Sequence, residues 1–132
     1  AIVTRFGRVV KTAGLPQELA STEFLGTDPI IAVARSGDPS TVERLMDFRR
    51  GNRLTSTTVT STLTALGVEH ISIDGLTFET RVVREDNNAI GSSWSFTNYY
   101  WVDPVDPIVW RSVQHVSKTF PPLTLEMLKP AG

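Results

Sequence analysis

The sequence predicts a mainly β domain, an antiparallel sheet with one short helix. Three observations carry this. The chain is a series of strand-like runs joined by short turns. Only Asp28 to Gly37 is bracketed like a helix. A chain of 132 residues, 40% apolar and 20% charged, suits a single domain over residues 1–132 with one core.

The first two strands are Ile2 to Arg5 and Arg8 to Thr12, joined by Phe6-Gly7, where Gly supplies the turn backbone. Leu15 to Gly26 reads as a loop with room for a helical turn, since a long structureless span is uncommon in a compact domain. Asp28 is a good N-cap, Pro29 suits the first helical position and Gly37 is a terminator. The helix is therefore expected over about Asp28 to Ser36.

Strands then resume. "VERLMDFRR" ends at the turn pair Gly51-Asn52. The following tract has eight Ser/Thr among the ten residues Thr55 to Thr64. Such a tract fits a glycosylated stalk, but no Pro interrupts it, and β-branched Thr favours a strand with a solvated face. Asp74-Gly75 is a tight-hairpin dipeptide between two more strand runs. "EDNNAIGSS", Glu85 to Ser93, reads as a polar loop. "WSFTNYYWV", "IVWRSVQHV" and "LTLEMLK" are the last strands. Short joins make neighbouring strands antiparallel.

The composition excludes several function classes. A net charge of -1 gives no basic footprint for nucleic acid. The absence of Cys excludes disulfides and thiolate metal sites. No apolar run approaches the roughly 20 residues of a membrane-spanning helix. The chain opens at Ala1 inside a strand pattern and without Met, which implies a removed leader or a fragment. His70 and His115 lie in expected strands, without a second His or Cys at metal-ligand spacing. "GSSWS" lacks the Gly of a nucleophile elbow. Glu79, Arg81, Arg84 and Glu85 read as a solvated strand edge. The reading is therefore no catalytic residue, no cofactor and no metal.

The stretch "NYYWVDPVDPIVW", Asn98 to Trp110, is the candidate binding element. Alternation puts Trp94, Phe96, Tyr100 and Val102 on one side of their strand, and Tyr99 and Trp101 on the other. If Asp103 pairs with Ile108, Trp101 stands opposite Trp110 and Tyr100 opposite Arg111. The Trp94 side is expected in the core. The Tyr99, Trp101 and Trp110 side, with Arg111 beside it, is expected to lie against the helix or to form a binding surface.

"GRVVKTAGLP" from Gly7, "DPI" from Asp28, "GSSW" from Gly91, "YWVDP" from Tyr100, "WRS" from Trp110 and "LKP" from Leu128 occur in this order. Together they resemble the YjbF/GfcB family, the group 4 capsule polysaccharide lipoproteins, along the whole chain. The resemblance implies a curved antiparallel half-barrel, similar in architecture to lipoprotein-carrier folds. It implies a lipid-anchored protein of the bacterial outer membrane that faces the periplasm and serves polysaccharide export. The lipid anchor is absent from this chain, which corresponds to roughly the later two-thirds of a member. Pro107 stands where the family turn usually has Gly, and Pro cannot adopt positive φ.

Two functions are compatible with this reading. One is a non-enzymatic accessory that binds glycan or an export protein through Tyr99, Trp101, Trp110 and Arg111, since aromatics beside Arg suit acidic sugars. The other is a carrier or chaperone that holds a lipid or acyl chain in an apolar concavity.

Overall fold

The computed structural model describes residues 1–15, 17–24 and 26–127. Strands β1 (Ile2–Arg5) and β2 (Arg8–Thr12) form a two-stranded hairpin. The main sheet contains β3 (Glu18–Phe24), β4 (Ser40–Arg50), β5 (Arg53–Ile73), β6 (Leu76–Ala89), β7 (Ser95–Val102), β8 (Val109–Gln114) and β9 (Leu123–Glu126). These seven strands follow one another in sequence order and every pairing is antiparallel. The sheet curls into a half-barrel. The helix α1 (Ile30–Ser36) packs on its inner face, against β5, β6 and β7.

The helix forms where its caps place it. The Asp28 carboxylate accepts the Ile30 N–H at 3.1 Å, and Gly37, at φ +77°, donates to the Val33 carbonyl at 2.9 Å. The helical residues begin at Ile30, two beyond the expected start, because Asp28 and Pro29 form the entry rather than the first turn. Ile30, Val33 and Ala34 bury their side chains against Leu63, Val83, Tyr100 and Val102. A second part of the core gathers Val9, Leu19, Met46, Phe48, Val59, Phe96 and Val116, with Trp94 packed against it. The expectation that Trp94, Phe96 and Tyr100 face the core holds.

Two expected loops are strands. β3 replaces the loop expected from Leu15 to Gly26. It is an edge strand with Leu19 as its one fully buried residue, so it shows no apolar alternation. Its ladder to β4 and a Ser21 hydroxyl bond to Asp47 at 2.8 Å hold it. β6 runs on to Ala89 through most of the expected polar loop. There Glu85, Asn87 and Ala89 point inward while Asp86 and Asn88 do not.

The β5–β6 hairpin is long, and a bulge between Ala65 and Gly67 changes its facing. Before the bulge, Val59, Ser61 and Leu63 lie on the inner face. Beyond it, Ile71 and Ile73 share the outer face with Phe78, and with Trp101 and Trp110 they form a third apolar cluster.

The β1–β2 hairpin docks on β8. Gln114 takes the place of a strand neighbour: its amide donates to the Gly7 carbonyl at 2.7 Å and accepts from the Val9 N–H at 2.9 Å. Gly7 allows this approach. A Cβ there would lie 2.3 Å from the Val109 Cβ, and its φ of +84° also favours glycine.

Candidate functional site

The centre of the half-barrel holds a largely buried ionic network. Arg8 reaches in from β2, Arg44 from β4, Glu85 from β6, and Asp28 from the turn before α1. Arg8 donates to Asp28 through Nε at 2.6 Å and to Glu85 at 2.5 and 3.1 Å. Arg44 donates to Ser61 at 3.1 Å, to Asn87 at 2.9 Å and, more distantly, to Glu85 at 3.4 Å. The Asn98 amide and the Tyr100 hydroxyl donate to Glu85 at 3.0 and 3.1 Å. Two cations thus meet two anions, and Glu85 is 0% exposed.

Such burial is costly for charges unless they are paired and hydrogen-bonded. Burial alone pushes the Glu85 carboxyl up, but Arg8, Arg44 and the bonds from Arg8 and Asn98 outweigh it and hold it well below its usual range. Burial pushes the Tyr100 hydroxyl up, so it stays protonated as a donor. With both carboxylate oxygens hydrogen-bonded, Glu85 ties β2, β4, β6 and β7 together at the centre of the sheet. Glu85 is thus not part of a solvated edge. It was hidden because "EDNNA" resembles a polar loop, although its inward positions alternate. Glu79 does lie on an exposed face, 3.8 Å from His70. His115 is half-buried just after β8, where Asn98 accepts its backbone N–H at 2.8 Å.

The aromatic hairpin differs from its expected register. Asp103 does bond Ile108, its N–H donating at 2.8 Å. A bulge then makes Trp110 the extra residue, so Trp101 pairs with Arg111 and Tyr100 with Ser112. The turn explains this without a glycine. The Asp103 carboxylate accepts the N–H groups of Val105 and Asp106 and the Trp110 indole N–H, at 2.9, 2.8 and 3.1 Å. Partial burial alone would raise its pKa, but these donors lower it. Held by Asp103, the Trp110 ring stacks on Phe78 at 4.1 Å on the outer face.

The helix therefore covers the Tyr100 side, not the Trp101 side as one expectation had it. The protein's own β5–β6 hairpin covers Trp110, which is 6% exposed. Tyr99 and Trp101 are half-buried on the outer face, their rings 6.3 Å apart, and Trp101 packs on the third apolar cluster. The Arg111 guanidinium lies 5.8 Å over the Trp101 ring and is held by Glu126 at 2.7 Å and the Ser72 carbonyl at 3.1 Å. Arg84 pairs with Tyr99 across the strands. The four candidate residues are therefore neighbours: Trp110 as support, Tyr99, Trp101 and Arg111 as surface. Among the described residues, no group of three or more His, Cys, Asp or Glu is placed to hold a metal.

Comparison with known proteins places this geometry. The uncharacterized lipoprotein GfcB of Escherichia coli (strain K12) is 28% identical over 130 residues, covering 98% of this chain and 61% of that protein. The chain thus spans about three-fifths of that relative's length. The crystal structure of the hypothetical lipoprotein YmcC from Escherichia coli (K12) superposes with a TM-score of 0.86 at 28% identity, covering 99% of this chain and 67% of that one. Residues 1–128 match the family described as group 4 capsule polysaccharide lipoprotein gfcB, YjbF. The half-barrel with its buried ionic centre and its half-buried aromatic face is a member of the YjbF/GfcB family of group 4 capsule polysaccharide lipoproteins.

Proposed function

We propose that this domain assists export of a capsule polysaccharide or related exopolysaccharide, without catalysing a reaction, by binding the glycan or an export protein. The reading includes attachment of the full protein to the outer membrane through a lipid anchor, with this domain facing the periplasm. Family membership supports the polysaccharide and lipoprotein parts. The observation that carries the binding part is the half-buried Tyr99–Trp101 pair flanked by Arg84, which bonds Asp86 at 3.1 Å, and Arg111, which bonds Glu126 at 2.7 Å. Aromatic faces receive the apolar face of a sugar ring, and guanidinium groups bond carboxylates of acidic sugars. The inner face gives less support to a carrier of acyl chains. It is filled by α1, Leu63, Val83 and Tyr100 and by the charged network around Glu85.

The test is a titration of the domain with an oligogalacturonate and with the neutral maltoheptaose, read by calorimetry. Saturable binding of the acidic glycan should be lost in Trp101→Ala and Arg111→Ala, with the circular dichroism of both variants unchanged. Export should fall in cells carrying the same substitutions in the full-length protein. A loss of export without any glycan binding would assign this face to a protein partner. Normal export and unchanged binding in both variants would overturn the reading.

A further inference from the structure

A second surface lies away from the aromatic face. The β1–β2 hairpin, β3 and α1 enclose an open groove of about 1110 Å³. This is somewhat above the about 300–1,000 Å³ common for small-molecule sites. Its walls are chiefly apolar, with Phe6, Val10, Phe24 and Ile31 on different elements. Phe6 is 64% exposed, and Val3 beside it is 49% exposed. Apolar side chains left open on three elements around one groove mark a binding surface more strongly than scattered exposed residues do.

The charges on the same walls have one prevailing sign. Arg5, Lys11 and Arg35 line the groove, with Glu23 and Asp28 as its carboxylates. Asp28 is already neutralised by Arg8 at 2.6 Å. Arg35 donates to the Val105 carbonyl at 3.0 Å and has no carboxylate partner among the described residues. Neither Arg5 nor Lys11 has a carboxylate partner among the described residues. Three cations therefore face one uncommitted carboxylate across an apolar trough.

We propose that this groove binds an anionic lipid, taking one acyl chain along Phe6, Val10, Phe24 and Ile31 and the phosphate group at Arg5 and Lys11. Both parts are needed to match the wall. A free anion leaves the apolar trough open to water, and a neutral chain leaves the cations unanswered. A glycan alone has too little apolar surface for the trough. The proposal does not depend on the polysaccharide reading, which uses residues on other strands.

The experiment titrates the 132-residue chain with palmitoyl-lysophosphatidylglycerol below its micelle-forming concentration. Palmitoyl-lysophosphatidylcholine and glycerol phosphate are run beside it. The anionic lipid should bind as a monomer, and the zwitterionic lipid about tenfold or more weakly, with glycerol phosphate not binding. Arg5→Glu with Lys11→Glu should weaken the anionic lipid by about tenfold or more, and Phe6→Ser should weaken both lipids. These three residues are exposed and outside the core clusters, so the variants should keep the parent's melting curve. Equal binding of both lipids, unchanged affinity in the charge variant, binding of glycerol phosphate alone, or binding only to anionic vesicles would each overturn the proposal.

Discussion

Glu85→Gln is the sharpest test of what holds this fold. The change preserves shape and removes one negative charge from a group that is 0% exposed. Arg8 would keep Asp28, at 2.6 Å through Nε. Arg44 would keep Ser61 and Asn87, both neutral. Two buried guanidiniums would then share one carboxylate, and the new amide N–H would face donors from Arg8, Asn98 and Tyr100. Removing one partner of a buried ion pair typically costs about 3–5 kcal/mol. Against a domain stability of about 5–15 kcal/mol, that is about a fifth or more of the total. Urea unfolding followed by circular dichroism should show a matching fall in midpoint with an unchanged slope. A Glu85→Gln protein within about 1 kcal/mol of the parent would show that the network is not what the half-barrel closes around.

The same residue sets the pH response. Burial alone would raise the Glu85 pKa, but its cations and donors depress it below its ordinary value of 4.5. A carboxylate depressed on folding contributes stability that is complete above its unfolded pKa and lost as pH falls through its folded pKa. Stability should therefore decline from about pH 5 downward and keep declining into strong acid. In Glu85→Gln this part of the slope should flatten.

Two further substitutions separate frame from surface. Gly7→Ala should cost about 2–5 kcal/mol, combining backbone strain with overlap on Val109, while Gly14→Ala, also at positive φ but in open space, should cost only about 1–2 kcal/mol. Equal losses in thermal melts would mean that the hairpin does not dock on β8 through Gly7. Trp110→Ala should cost about 3–5 kcal/mol through lost packing on Phe78, and the less buried Trp101→Ala clearly less. Equal, severe destabilisation by both changes would remove the case for Trp101 as a binding residue.

The strand series, the short helix and the aromatic alternation were legible because each rests on local chemistry. The Asp28 and Gly37 caps act within a few residues of themselves, and Asp74-Gly75 makes its own turn. β3 was not legible, since an edge strand held by backbone pairing needs no apolar period. Glu85 was not legible because a buried charge is justified only by partners far away in sequence, Arg8 at 77 residues' separation and Arg44 at 41. The Trp110 bulge depends on Asp103 accepting three donors at once, which no dipeptide pattern announces. The groove is invisible in sequence for a similar reason. Its walls come from the hairpin, β3 and α1, and none of the three is amphipathic enough to declare an unfilled side.

The residues that carry the family resemblance mostly build the frame. Gly7 and Arg8 of "GRVVKTAGLP" seat the first hairpin and cross the core to Asp28 of "DPI". Ser92 of "GSSW" accepts the Trp94 N–H at 3.1 Å, and Trp94 stacks on Phe96 at 4.3 Å. Tyr100 and Asp103 of "YWVDP" bond Glu85 and Trp110. Ser112 of "WRS" accepts from Gln114, which holds the hairpin in turn. "LKP" lies outside the described residues. These contacts form one chain from β2 through the ionic centre to β8, so the motifs are spaced along the sequence but joined in space. Arg5, Phe6, Phe24 and Arg35 of the groove, and Arg84 and Tyr99 of the aromatic face, belong to none of these motifs. A relative that keeps the frame and changes these six residues would fold the same way and present different chemistry. Shared fold therefore transfers the half-barrel and its closure, while the choice of ligand rests partly on these six residues and partly on Lys11, Trp101 and Arg111, which lie inside the shared motifs.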